Sequence, residues 1–485
     1  MGKKINGTFY FGRNHFINNT GRSFYSGGCG LWFQNKIGNA NLIEYHFTIV
    51  FDGCNFIGNH AVENATDARR GYTNGNGGAI QLGWTESMSN IDVEFRNSTF
   101  INNVADRQGG ALSIQIIGYT IIENCTFEGN LAGQSSLDPD QVLGGAIYAC
   151  PDFDYAGGHY STNGGNWLYS ENITIIGCKF TNNKAENANA FFFEISEHTD
   201  FFVIDCDFID NYNTENPSFA IICESRELVF EQSKIIYSDI NKASAAIRTT
   251  SVATITNSLF IKNSLNDKDF AESLLIETDA NEIVISNSVF EDCGKNGKDF
   301  YTVKINTQIA NIHNNVFNFT SNQESKSCCP VFIKEYCDTI FIENRITNSN
   351  CNGAFQYNPD NGDIRNENVL IEKCIFEKCQ GKNSRALYVK LSTENITFKN
   401  NTIQDCPLSG LSKSGGYLFV FVISQTPITE FIIDKIIFRN LKTDSDFGGG
   451  CGAWIQHNKK YTLLFKDCIF ENNYAKNNKV VRNCP

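Results

Sequence analysis

Apolar and polar residues alternate in short runs along the chain, and the runs recur. The clearest copy is VEFRNSTFINNVADRQGGALSI, Val93 to Ile114. It has an alternating stretch, a small or polar residue, the motif F-x-x-N, a variable loop, and a strand opening on Gly-Gly-Ala. Other copies are FDGCNFIGN at Phe51 with GGAIQL at Gly77, IIENCTFEGN at Ile121 with GGAIYA at Gly144, IIGCKFTNN at Ile175, VIDCDFIDN at Val203 and TLLFKDCIFENN at Thr462. One column can be followed throughout: Phe16, Phe56, Phe100, Phe127, Phe180, Phe208, Ile236, Phe260, Phe290, Phe317, Ile346, Phe376, Ile403, Phe438 and Phe470.

Runs of period two, rich in Val, Ile and Phe, are strands. A repeat near 28 residues holds three such strands with their turns, and no amphipathic helical stretch intervenes. A single coil cannot bury its own apolar side, whereas stacked coils can. The expected fold is therefore all-β: one right-handed parallel β-helix of about 15 rungs spanning residues 1–485 as a single repeat domain. Like side chains then stack at the strand spacing of ~4.8 Å. Each buried Phe contributes ~1.5–3 kcal/mol.

Two further columns follow from the register. Two residues before the core Phe stand Cys54, Cys125, Cys178, Cys206, Cys374 and Cys468, expected to face inward as small buried hydrophobes. Three residues after it stand Asn19, Asn59, Asn103, Asn130, Asn183, Asn211, Asn263 and Asn473, expected to satisfy turn backbone and pair from rung to rung. The spacing of the Phe column widens in the first half. This predicts loop insertions at 60–76, 131–143 and 151–170.

Composition agrees. Phe occurs 39 times and Pro only eight, which suits a chain that is mostly strand. The net charge of −13 argues against nucleic acid as a partner, because phosphate binding needs a basic face. No apolar stretch has the length of a membrane helix, and none at the start has the form of a signal peptide. The repeat runs from one end of the sequence to the other, so both ends are expected to be uncapped and the chain to be a piece of a longer protein.

The paired GGAI and F-x-x-N motifs resemble the polymorphic outer-membrane protein repeats, most sharply over residues 14 to 211. GGAI is intact at Gly77 and Gly144, reads GGAL at Gly109, and is degraded at Gly27 and Gly449. The resemblance implies a pectin-lyase-like, right-handed β-helical passenger displayed at a cell surface or outside the cell and used for adhesion. A membrane would be reached only through regions absent from this chain.

Candidate chemistry is sparse. The Asp and Lys/Arg patterns of pectin-active β-helices are missing, so no catalytic residue is assigned. Asp205 and Asp207, expected to point outward from one strand, read as a solvated acidic face. The His and Cys spacings assign no metal, and no cofactor is expected. Stacked thiols leave a disulfide open at Cys178 with Cys206 and at Cys379 with Cys406. Nine N-x-S/T sequons, including Asn18, Asn97, Asn124 and Asn400, read as chance in an Asn-rich chain.

Recognition should sit on insertions, because the coil only repeats. The insertion 151–170 carries Tyr155, His159, Tyr160, Trp167 and Tyr169, the expected ligand-binding residues. The sequence thus predicts a non-enzymatic, surface-associated adhesin-like scaffold, with a host-cell surface protein or glycan as partner. A polysaccharide-active enzyme and a structural spacer are the alternatives. A groove of outward carboxylates beside a base would favour the enzyme.

Overall fold

The computed structural model describes residues 5–22, 29–33, 45–62, 75–82, 91–114, 118–133, 142–149, 172–212, 218–239, 243–263, 270–276, 281–293, 299–319, 327–334, 337–349, 353–357, 368–379, 386–391, 395–406, 418–422, 430–443, 453–457 and 462–475. Among these there is no helix, and the strands pair in parallel. The fold is an all-β parallel β-helix. The chain divides into two compact units, 1–252 and 253–485.

In the first unit, seven three-residue strands form a column: His15–Ile17, Asn55–Ile57, Thr99–Ile101, Thr126–Glu128, Lys179–Thr181, Asp207–Ile209 and Lys234–Ile236. Their register sets Phe16, Phe56, Phe100, Phe127, Phe180 and Phe208 one above another. The rings are nearly parallel, with centroids 4.7–4.8 Å apart. The seventh place belongs to Ile235, which pairs with Phe208 and is fully buried. Ile236, assigned there from sequence, falls on the outer side. Two adjacent Ile residues leave the sequence pattern ambiguous by one position, and a one-residue slip changes the face.

The second unit repeats this column in eight strands, from Leu259–Ile261 to Ile469–Glu471. Phe260, Phe290 and Phe317 stack at 4.7–4.8 Å, as do Phe438 and Phe470 at 4.8 Å. Ile346, Phe376 and Ile403 occupy the register between.

The corners explain the motif. The residues three before and two after the core Phe have positive φ, as at Asn97 (49°) and Asn102 (53°) around Phe100. Short polar residues tolerate this left-handed conformation best, so Asn, Asp and Gly recur there. Each corner turns the backbone inward, and the next residue supplies a hydrogen-bond acceptor to the rung before. The amide and Nδ2 of Asn59 both donate to Asn103 Oδ1 (3.1 and 2.9 Å). Asn103 donates in the same way to Asn130, Asn130 to Asn183, and Asn183 to Asn211. Each Nδ2 also reaches the carbonyl of a core Phe one rung earlier, as Asn103 does to Phe56 (2.9 Å).

The Cys column does more than fill space. It shares its position with Ser and Asn, and it accepts backbone N–H groups. Cys54 N donates to Ser98 Oγ (3.0 Å), Ser98 N to Cys125 Sγ (3.4 Å) and Cys125 N to Cys178 Sγ (3.4 Å). In the second unit Asn takes over this corner, with Asn315 N donating to Asn344 Oδ1 (3.0 Å) and Cys374 N to Asn401 Oδ1 (2.9 Å). The corner after the Phe then holds Cys293, Ser349, Cys379, Cys406 and Leu441, which are buried. Buried N–H groups need an acceptor at each turn, and sulfur, hydroxyl or amide oxygen can serve.

The Gly-Gly pair marks where coils approach most closely. A Cβ on Gly110 would lie 2.1 Å from the Gly145 carbonyl oxygen, and one on Gly78 the same distance from that of Gly110. The Gly-Gly pairs that open the degraded copies, at Gly27 and Gly449, lie outside the described residues.

Candidate binding face

The strands that follow Gly-Gly-Ala build one wall of the first unit: Leu31–Phe33, Ile80–Leu82, Leu112–Ile114 and Ile147–Ala149, continued by the start of Phe191–Ile204. Alternation sends Phe33, Phe191 and Phe193 to the interior, where they meet the rings of Phe11, Phe51 and Phe201. The opposite face carries Trp32, Gln81, Ser113, Tyr148 and Phe192 in a single in-register file. The Tyr148 and Phe192 rings stack with centroids 6.1 Å apart. Outward strand positions are ordinarily wet, yet Gln81 and Ser113 are sealed from solvent and Tyr148 nearly so, whereas Trp32 is 39% exposed. The Ser113 hydroxyl has no hydrogen-bond partner among the described residues.

This wall is also where the insertions attach. The chain enters Ile80–Leu82 from 63–74 and leaves it into 83–90. It enters Ile147–Ala149 from 134–141 and leaves it into 150–171. Only Leu112–Ile114 separates these two strands, so the attachment points lie ~10 Å apart across the sheet. The insertions begin later than the sequence suggested. His60–Val62 and Leu131–Ala132 are strands of a third short column, completed by Thr20–Arg22 and Val104–Ala105. Small inward residues, Ala61, Ala105 and Ala132, let the coil continue for one more turn. Tyr155, His159, Tyr160, Trp167 and Tyr169 lie outside the described residues.

A second outward cluster was missed from sequence, because its members come from four separate strands and two turns. Asp52 accepts hydrogen bonds from Tyr10 (2.9 Å) and Asn97 (3.0 Å). Glu94 accepts from Tyr119 (3.0 Å) and pairs with Arg96 (2.8 Å), which also lies 4.0 Å from Glu123. The bonds from Asn97 and Tyr10 hold the Asp52 carboxyl below its usual range. Burial, then the bond to Glu94, pushes Tyr119 up to about 12. Both oxygens of each of these two carboxylates are engaged within the cluster. Outward acids and a cation do stand together here: Glu94 is paired with Arg96, and Asp52 is held by the neutral Tyr10 and Asn97.

Asp205 is not on a strand face: it occupies a left-handed corner (φ 52°), as does Asp210 (φ 51°). Asp207 pairs with Lys234 at 3.2 Å. Among the described residues no group of three or more His, Cys, Asp or Glu is placed to hold a metal ion. Four sequons receive a structural origin. Asn18, Asn97, Asn124 and Asn400 each stand at a left-handed corner. The next residue is in an inward acceptor column, and the one after it is a Thr in or entering a strand. The corner geometry writes N-x-T without any glycan. Asn97 and Asn124 are nonetheless exposed and do not point into the core.

Two segments, 97–115 and 124–150, match the family model of the Chlamydia polymorphic membrane protein (Chlamydia_PMP) repeat. Each runs from a left-handed Asn corner through the core Phe and the Asn ladder to or beyond the Gly-Gly-Ala strand. The resemblance drawn from the GGAI and F-x-x-N motifs thus holds on these two rungs. No curated protein and no solved structure matches the chain.

Proposed function

We propose that this chain is a non-enzymatic, surface-displayed β-helical scaffold that binds a host-cell surface protein or glycan in the manner of an adhesin. The observation that carries the reading is the convergence of the long insertions on neighbouring strands of one wall. The three-residue strands of the Phe column repeat from rung to rung and offer a partner little that is distinctive. Loops rooted side by side on a rigid sheet suit recognition, since one loop alone seldom reaches ~800 Å² per side. The wall between the attachment points carries the aromatic and polar file Trp32, Gln81, Ser113, Tyr148 and Phe192. Surface display draws on the two matched rungs, whose family is named for a membrane protein.

The scaffold reading is supported by the outward Asp52, Glu94 and Arg96 side chains being tied to Tyr10, Asn97, Tyr119 and one another. The test is to shorten 151–170 to a few residues and measure binding to host cells and to a broad glycan array. Binding should fall while the β-sheet circular dichroism is kept. Equal binding by parent and shortened protein, or none by the parent, would leave the spacer as the better account.

A further inference from the structure

Parallel register does something specific to the thiols. Cys125, Cys178 and Cys206 stand at one corner position of three successive rungs, and Cys379 and Cys406 stand at the other corner of two. Cys178 N donates to Cys206 Sγ at 3.4 Å, so the upper sulfur lies directly over the lower residue. Three other thiols meet oxygen instead. Cys54 meets Ser98, Cys223 meets Ser251, and Cys374 meets Asn401. Adjacent hydrogen-bonded strands place Cα atoms ~4.8 Å apart, inside the separation that a disulfide spans.

We propose that Cys178–Cys206 in the first unit and Cys379–Cys406 in the second are disulfide sites that staple consecutive rungs when the protein is made in an oxidising compartment. Each bridge forms as two thiols give up their protons and join in one S–S bond. The S–S bond of a disulfide oxidant, such as glutathione disulfide, breaks and takes up the protons as two thiols. Cys178 is shared between two neighbours. The pair one repeat apart (28 residues) closes before the more distant Cys125 (53 residues), because the shorter loop is the easier to close. Burial and thiol contacts raise Cys178, Cys206 and Cys379 well above ordinary thiol values. Thiolate is therefore scarce in the folded coil, and bridging belongs to the folding stage. The inference goes beyond the binding reading and does not depend on it.

The test is to produce the full chain in an oxidising secretory compartment and in a reducing cytosol, trap free thiols with N-ethylmaleimide, digest without reductant and map linked peptides. The expected result from the oxidising compartment is Cys178 linked to Cys206 and Cys379 linked to Cys406, with Cys54, Cys223 and Cys374 alkylated. The bridged form should melt several degrees above the reduced one. Cys206→Ser should fold, because Ser233 and Ser98 already accept the corresponding N–H from Cys206 and Cys54, and should lose the first link with its share of the Tm gain. Alkylation of all four cysteines in folded protein would overturn the proposal. A Cys125–Cys178 link would overturn the first assignment, and links through Cys54, Cys223 or Cys374 would overturn the neighbour rule.

Discussion

Phe127→Ala removes one ring from the middle of the first unit's aromatic column. Phe127 is fully buried, with Phe100 at 4.7 Å on one side and Phe180 at 4.8 Å on the other. In many cores the neighbours would slide into the gap. Here they cannot, because the Asn103–Asn130–Asn183 ladder and the strand register fix the rungs beside it. The cavity should therefore persist, and the cost should lie at ~3–5 kcal/mol, which includes two stacking contacts of ~0.5–1.5 kcal/mol each. In a unit of this size that lowers Tm on the order of 10 °C. Differential scanning fluorimetry reads the shift, with Thr126→Ala as control, since Thr126 points outward on the same strand. Pulse proteolysis should show the loss to be greatest around the mutated rung, because solenoid stability is set by nearest neighbours. A Tm equal to wild type, or a loss no larger than the control's, would refute the stacked core.

Other perturbations separate the remaining claims. Asn103→Ala strips the acceptor from the Asn59 amide and the donor from the Phe56 carbonyl, leaving buried groups unpaired at ~1–3 kcal/mol each; urea unfolding should place it well below Asn103→Ser, which keeps one acceptor. Gly110→Ala drives a Cβ to 2.1 Å from the Gly145 carbonyl, so soluble yield and Tm should fall far more than for Gly53→Ala, which meets only the Arg13 side chain at 3.4 Å beyond the strain of its positive φ. Tyr119 has a folded value near 12 against about 10 when unfolded, so its contribution is present below pH 10 and is lost as pH rises toward 12. Ultraviolet titration of wild type minus Tyr119→Phe should show phenolate appearing late, and a step at the ordinary value would contradict the contact. Polygalacturonate incubated with the protein, with or without Ca²⁺, should yield no unsaturated uronide above a boiled control.

Most of the fold was legible because each rung restates it. F-x-x-N carries the core ring and the ladder amide, and Gly-Gly carries the close approach of the coils at Gly78, Gly110 and Gly145. What the sequence hid has local causes. Ile235 and Ile236 are both apolar, so alternation alone does not say which turns inward. Cys54 and Cys125 look apolar until the Ser98 between them shows that the column must accept an N–H. His60–Val62 reads as loop because a three-residue strand with Ala inside has no hydrophobic signature. The Asp52–Glu94–Arg96 cluster joins residues of different rungs, and a reading of one rung at a time does not bring them together. The file Trp32, Gln81, Ser113, Tyr148 and Phe192 was the variable position after Gly-Gly-Ala-Ile. Its variation was the available signal.

The central claim is that residues one repeat apart lie side by side on adjacent parallel strands. Histidines placed at Thr99 and Thr126, which pair in register and face outward, should hold one Ni²⁺ between them. Histidines at Thr99 and Lys179 stand two rungs apart, at ~10 Å, and should not. Metal bound only by the folded chain stabilises it by RT ln(1 + [L]/Kd), so Tm rises with the logarithm of ligand concentration over Kd. Ni²⁺ should therefore raise the Tm of Thr99→His, Thr126→His above its effect on the parent, and leave Thr99→His, Lys179→His at the parent's value. No gain for the first pair, or an equal gain for both, would contradict the stacking of rungs.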